Sequence, residues 1–189
     1  MAMTRSEALE RILQAFPDGP IVVTLGTTSR EMIALSQAPH HLHVLDSMGL
    51  APAIGLGVAL GVGENHAGKV LVLEGDGGML MGLSSLATIG LLRPKNLVLF
   101  ILDNGTYGAT GGQPTASEAV DLCAVARGCG IAASDVEELD ALDDALADAR
   151  NADGPRLLRI AIDQSTRRLP FYLADPVLLA ARFAESLRR

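Results

Sequence analysis

The sequence has no tryptophan and few aromatics of any kind, 3% in all, so it offers no platform for stacking single-stranded nucleic acid. It also lacks a basic balance. The formal charge of −7 is the wrong sign for a phosphate backbone, and no nucleic-acid partner is expected. Cysteine is scarce: Cys123 and Cys129 stand six apart with no histidine near them. That is neither a zinc nor an iron–sulfur spacing, and it excludes a disulfide framework, so idle or buried thiols in a reducing cytoplasm are expected. Long hydrophobic runs are missing too. The longest uncharged runs, Ser47–Gly63 and Gly77–Leu92, fall short of the roughly 20 residues of a membrane span and are rich in glycine or serine. The opening residues, MAMTRSEALE, carry acidic groups and no apolar core, so no signal peptide is expected. The expectation is a soluble cytoplasmic protein with no membrane partner.

What is there is the composition of a compact chain. Apolar residues make up 49% and charged residues 20% of 189, which excludes disorder and suffices to bury roughly 70% of the unfolded surface. One domain spanning residues 1–189 is expected. The acidic stretch Ser134–Asp153 reads as a solvated helix face.

Thr4 and Glu7 have the spacing of a capping box, followed by Leu9, Ile12, Leu13 and Phe16 on one helical face, with a stop at Pro17–Pro20. Strands are expected at 21–24, 42–45, 70–73, 97–102, near 131, and at 157–162. Helices are expected at 31–35, across the glycine-containing segment 50–62, at 79–92 and at 118–129. Another follows along Leu139, Leu142, Leu146 and Ala149, and a last one starts from Asp175-Pro176. Residues 104–117 read as a polar loop. Alternation of helices and strands implies an α/β fold: a largely parallel sheet with helices on both faces.

Ligands of open α/β sheets bind beyond the carboxyl ends of the strands. Four strands here end in polar or glycine-rich turns: Gly26-Thr27-Thr28, Asp46-Ser47-Met48-Gly49, Gly75-Asp76-Gly77-Gly78 and Asp103-Asn104-Gly105-Thr106. Glycines admit a ligand close to the backbone, and the N–H groups at the following helix start attract an anion. A diphosphate suits them. Mg²⁺ takes six oxygens, usually one or two carboxylates with phosphate oxygens, and Asp76, the Asn104 amide oxygen and a loop carbonyl would supply the protein's share. Ser84 and Ser85 read as mid-helix residues with no histidine partner, and the four histidines (His40, His41, His43 and His66) as solvated loop residues. Nucleophilic catalysis therefore has little support.

Gly75-Asp76-Gly77 followed after 25 residues by Asp103-Asn104 resembles the signature of the thiamine diphosphate enzymes, in their diphosphate-binding (PP-type) domain. The resemblance covers essentially the whole chain. It implies that Asp76 and Asn104 ligate Mg²⁺ and that Thr106 gives its main-chain carbonyl. It implies that Gly77 and Gly78, flanked by Gly75 and Tyr107, hold the diphosphate with the Thr27 hydroxyl. Asp46 and Ser47 would then meet the aminopyrimidine, and Met48 would be the apolar wedge that bends the cofactor. Asp103 departs from the family's usual asparagine. The activating glutamate of the family lies on a separate pyrimidine-binding domain for which 189 residues leave no room, so a pyrimidine-binding α subunit is implied as partner.

Within the family, residues 26–31, 47–51 and 103–108 look closest to the sulfopyruvate decarboxylases, commonly split into two subunits with this chain resembling the β subunit. Phosphonopyruvate decarboxylases are next. A small 2-oxo acid is the implied substrate, with Arg30 and Gln113 as candidate contacts. Thr110-Gly111-Gly112-Gln113 also resembles the β subunit of 2-oxoacid:ferredoxin oxidoreductases, although two cysteines cannot make a four-cysteine cluster site. A detached acetolactate-synthase-like domain fits the local motifs less well. A non-catalytic thiamine diphosphate-binding module is the alternative from another class.

Overall fold

The computed structural model of this chain describes residues 3–188 apart from 65, 67 and 173. Thr4 starts the fold as its spacing predicts. Its hydroxyl accepts from the Glu7 amide while the Glu7 carboxylate accepts from the Thr4 amide at 2.8 Å, and this capping box opens α1 (Arg5–Ala15). The chain continues through β1 (Ile21–Val23), α2 (Gly26–Leu35), β2 (His41–His43), α3 (Ala51–Val62) and β3 (Val70–Gly75). Next come α4 (Asp76–Met81), α5 (Ser85–Leu92), β4 (Leu97–Asp103), β5 (Thr106–Tyr107) and β6 (Gln113–Pro114). A 3-10 turn at Ala116–Glu118 leads to α6 (Leu122–Gly128), β7 (Ala132–Val136), α7 (Leu139–Asn151), β8 (Arg156–Ala161) and α8 (Pro176–Ser186). Asp175 caps α8 with its side chain, and Pro176 occupies the first turn.

Six strands pair in parallel in the order β2-β1-β3-β4-β8-β7, and β5 with β6 forms a separate antiparallel pair. The central strands β1, β3 and β4 are nearly continuous apolar, buried runs because both of their faces are covered. On β3, Leu71 and Leu73 join a core with Leu9, Phe100 and Leu146, packed under α1, α2 and α7. Val70 and Val72 point the other way, into a core with Leu56, Leu86 and Cys123 under α3, α5 and α6. The expected α/β architecture with helices on both faces is what forms. From β1 the chain turns to β2 on one side, whereas β3 lies on the other, so the sheet has a topological switch point between β1 and β3.

Several elements differ from expectation for reasons of packing. The helix expected across 79–92 is two helices, α4 and α5, and the first begins at Asp76 itself. Gly82 lies between them against Gly49, so closely that a side chain there would overlap the Gly49 carbonyl. The break seats the loop that carries Met48, and Ser84 ends up at the start of α5 rather than mid-helix. On α3, Gly55 lets the helix approach Val72, but Gly57 and Gly61 have open space beside them and serve no close contact. The polar loop 104–117 contains β5 and β6, α6 is shorter than expected, and β2 begins at His41. His41 and His43 are therefore buried strand residues, 3% and 4% exposed, not solvated ones. Among the described residues, no helix is long and apolar enough to cross a membrane.

Candidate functional site

The carboxyl ends of β1, β3 and β4 open onto one cavity of about 310 Å³. The register explains why. Gly75 pairs with Leu102, so Asp76 and the Asp103-Asn104 pair leave adjoining strands side by side at the mouth. The cavity wall includes Thr27 and Met48 from the first half of the chain and Gly75, Asp76, Gly77 and Gly78 from the turn after β3. Asn104, Thr106 and Tyr107 complete it from beyond β4. Nine of the thirteen residues that the sequence singled out are thus brought together. The other four, Arg30, Asp46, Ser47 and Gln113, lie outside this wall.

Asp76 is the electrostatic centre of the site. It is 1% exposed, and its carboxylate accepts from Thr115 Oγ1 at 2.5 Å. Among the described residues it has no ion pair. Burial pushes its carboxyl above the usual range; the Thr115 hydroxyl pulls it back, and nearby Asp103 raises it again. A buried carboxylate without a cation is costly, so the position favours a bound positive ion. Oxygen donors stand beside it. Asn104 Oδ1 accepts from the Thr106 amide at 3.1 Å, and the Thr106 carbonyl accepts from the Gly108 amide at 3.1 Å. Each oxygen keeps a second lone pair. A carboxylate, an amide oxygen and a carbonyl form an all-oxygen set that fits Mg²⁺ completed by phosphate oxygens.

Asp103, the departure from the family's asparagine, is directed elsewhere. Its carboxylate accepts from Arg159 Nε at 2.6 Å and from the Gly105 amide at 3.0 Å. It ties β4 to β8 and shapes the turn that presents Asn104.

The glycines act through close approach. A side chain at Gly77 would collide with the Tyr107 ring, and one at Gly78 with the Glu74 carboxylate. Gly26 opens α2 at φ +77°, a left-handed conformation that glycine adopts without strain. Thr27 Oγ1 accepts from Arg30 Nη2 at 3.1 Å, which leaves the hydroxyl proton free to donate into the cavity. Arg30 itself lies over the Phe171 ring, 5.0 Å from its centre. Gln113 is exposed and accepts from Thr110 Oγ1 at 3.0 Å. Asp46 holds a left-handed φ of 53° at the start of the loop that carries Met48.

Four residues on or beside the site carry no motif signal: Arg5, Glu74, Thr115 and Gln164. Glu74 was the detectable one, a carboxylate inside an otherwise apolar strand. It is 1% exposed, accepts from the Gly75 amide at 3.0 Å, and burial pushes its carboxyl up to about 7. Gln164 donates to the Asn104 carbonyl at 3.3 Å. Arg5 stands in the first turn of α1 and reaches the cavity from there. The cysteines are free, and burial pushes the Cys123 thiol up to about 12, which leaves it inert at neutral pH.

Comparison with known proteins shows the family. Residues 24–160 match the family model described as thiamine pyrophosphate enzyme, C-terminal TPP binding domain. A phosphonopyruvate decarboxylase of Streptomyces viridochromogenes is 48% identical over 162 residues, 84% of this chain and 40% of that protein. The sulfopyruvate decarboxylase subunit beta of Methanococcus maripaludis is 33% identical over 189 residues, the full length of both chains. The chain thus spans less than half of the first relative and all of the second. In fold it is similar to the benzoylformate decarboxylase of Polynucleobacter necessarius, with a TM-score of 0.75 at 19% identity, covering 87% of this chain and 34% of that one.

Proposed function

This chain belongs to the thiamine pyrophosphate enzymes, as their C-terminal TPP binding domain, and from that premise we propose that it is the β subunit of a sulfopyruvate decarboxylase. It converts sulfopyruvate to sulfoacetaldehyde and CO₂ together with a separate α subunit. The observation that carries the cofactor reading is Asp76: a buried carboxylate with no cationic partner among the described residues, set beside Asn104 and Thr106 past the ends of β3 and β4.

In this reading Asp76, Asn104 and the Thr106 carbonyl would hold Mg²⁺, which would supply positive charge for the diphosphate. The amides at Gly75, Gly77 and Gly78 and the Thr27 hydroxyl hold the diphosphate oxygens, with Tyr107 packed on Gly77. Asp46 and Ser47 meet the aminopyrimidine. Met48, seated by the Gly49–Gly82 contact, supports the middle of the cofactor. When bound, thiamine diphosphate supplies the electron sink that lets CO₂ leave a 2-oxo acid. This chain binds, orients and excludes water; the glutamate that activates the cofactor is assigned to the partner.

Two observations support a partner chain. The relative of matching length is named a beta subunit, whereas the relative that holds this domain within one chain is more than twice as long. The second is a surface. No charged residue occurs in 47–63 or 77–92, and Leu50, Leu60, Met81 and Leu91 on or beside α3, α4 and α5 are about half exposed or more. Such an apolar face marks a protein contact, and Leu50 and Met81 lie next to the Met48 loop.

Phosphonopyruvate decarboxylation is the second reading, favoured by the higher identity of 48%. The test is to isolate the chain with whatever copurifies. A pyrimidine-binding chain carrying an unpaired glutamate is expected. Isolation as a lone chain that binds thiamine diphosphate, with no such partner, would point to the non-catalytic module instead.

A further inference from the structure

Beyond β8 the chain runs along the cavity before α8 begins. Gln164 and Thr166 are on the cavity wall, and Arg167 and Arg168 come next. Both arginines are exposed, and among the described residues neither has a hydrogen bond or an ion pair. No acid stands ready nearby in sequence. Residues 164–174 contain none, Asp163 accepts from the Ser165 amide and hydroxyl, and Asp175 caps α8. The backbone on either side of the pair is held. Gln164 donates to the Asn104 carbonyl at 3.3 Å. Phe171 lies under the Arg30 guanidinium at 5.0 Å, and Tyr172 stands edge-on to His43 with ring centres 5.2 Å apart. Arg30 is thus spent on Phe171 and on the Thr27 hydroxyl, whereas Arg167 and Arg168 are free. Consecutive Cα atoms lie about 3.8 Å apart, so both guanidiniums are within side-chain reach of the mouth that Thr166 lines.

The decarboxylase reading above, on which this inference rests, gives the pair a task. Sulfopyruvate and phosphonopyruvate carry a second anionic group that pyruvate lacks. The wall that such a dianion approaches holds Glu74 and Asp76, and among the described residues its one cation is Arg5, already paired with Glu31. We propose that Arg167 and Arg168 receive the second group, a tetrahedral oxyanion, and so set a preference for dianionic 2-oxo acids. Guanidinium suits the task because its planar fork offers parallel donors to sulfonate or phosphonate oxygens and stays charged at any relevant pH. A backbone held in advance lowers the cost of ordering the pair on binding.

The competing role is contact with an acidic face of the partner chain. Arg167→Gln combined with Arg168→Gln separates the two, measured in the complex with the copurifying partner, thiamine diphosphate and Mg²⁺. Both positions are exposed, so the melting temperature should hold. The preference in kcat/KM for sulfopyruvate over pyruvate is expected to fall about tenfold, chiefly through KM, the order of one charge-assisted hydrogen bond. Where the unsubstituted complex prefers phosphonopyruvate instead, that preference should fall likewise, and the oxyanion is then phosphonate. Sulfopropionate, which has both anionic groups of sulfopyruvate and no ketone, should lose a similar factor in affinity by calorimetric titration. Unchanged preference and unchanged sulfopropionate affinity would overturn the proposal. Weaker assembly of the two chains with unchanged preference would overturn it in favour of the partner contact. If the unsubstituted complex prefers pyruvate to both dianions, the substrate reading falls, and this proposal with it. If it prefers a dianion and the double variant keeps that preference, this proposal alone falls.

Discussion

Replacing Asp76 with Asn should move stability and cofactor affinity in opposite directions. The asparagine oxygen can still accept from Thr115 Oγ1, now 2.5 Å from the carboxylate, so the packing and one hydrogen bond survive. What disappears is a charge held at 1% exposure without an ion pair among the described residues. Burial raises this carboxyl above its ordinary value of 3.8. The sign follows from proton binding: above that value the unfolded chain releases its proton sooner than the folded one, so the carboxylate is a penalty on folding that grows with pH. Without divalent metal at neutral pH, Asp76→Asn should therefore raise stability by roughly 1–3 kcal/mol, the usual cost of an uncompensated buried polar group. For a chain of this length that is several degrees in Tm. The gain should shrink as pH falls and vanish about a unit below 3.8, where both states are protonated. Affinity for thiamine diphosphate in the presence of Mg²⁺ should fall by about 2–5 kcal/mol, typical of truncating one member of a buried charge pair, or roughly thirtyfold to several thousandfold. Calorimetric melting without metal and titration with it read the two effects. A variant that melts lower and binds the cofactor normally would refute the reasoning, since Asp76 would then be a structural group.

Glu74 gives a parallel expectation confined to stability of the metal-free chain. Its carboxyl titrates near 7 in the folded state against an ordinary 4.5, so stability should decline as pH rises through that interval, by up to about 3 kcal/mol at 1.36 kcal/mol per unit. Glu74→Gln should flatten the decline in urea-unfolding midpoints, and an unaltered pH profile would show that Glu74 is not its source. His41 and His43 act at the acid end. Burial lowers both to about 4 from 6.5, so the unfolded chain takes up protons first and stability is lost as pH falls from 6.5 towards 4. The steepest loss expected is about 2.7 kcal/mol per pH unit for the pair, and His41→Leu should remove about half of it.

The parts of the fold that were legible in the sequence are those written by neighbours in sequence. Thr4 and Glu7 cap α1, Asp175-Pro176 starts α8, and the apolar runs of β3 and β4 lead to Asp76 and Asn104 through a register of uninterrupted parallel pairing. The features that escaped depend on residues far apart. Nothing near Gly82 announces that Gly49 will press on it and split the helix. The Arg5–Glu31 pair spans 26 residues, and Arg5 reads locally as an ordinary first-turn residue. Thr115 meets Asp76 across 39 positions, through the β5–β6 pair that composition marked as loop. His41 and His43 were placed in solvent because β2 is three residues long, too short to show a pattern. Asp103 was visible as a departure from the family motif, but its harmlessness is explained by Arg159, 56 residues on.

Whether this chain is half of a decarboxylase is open to direct measurement. The deciding measurement is CO₂ release from sulfopyruvate, phosphonopyruvate and pyruvate, with thiamine diphosphate and Mg²⁺, by the isolated chain and by its complex with the copurifying partner. The expected result is no turnover by the chain alone, and turnover by the complex with sulfopyruvate preferred over both other acids. Turnover of any of these acids by the isolated chain would contradict the two-subunit account. A preference for pyruvate would contradict the substrate assignment.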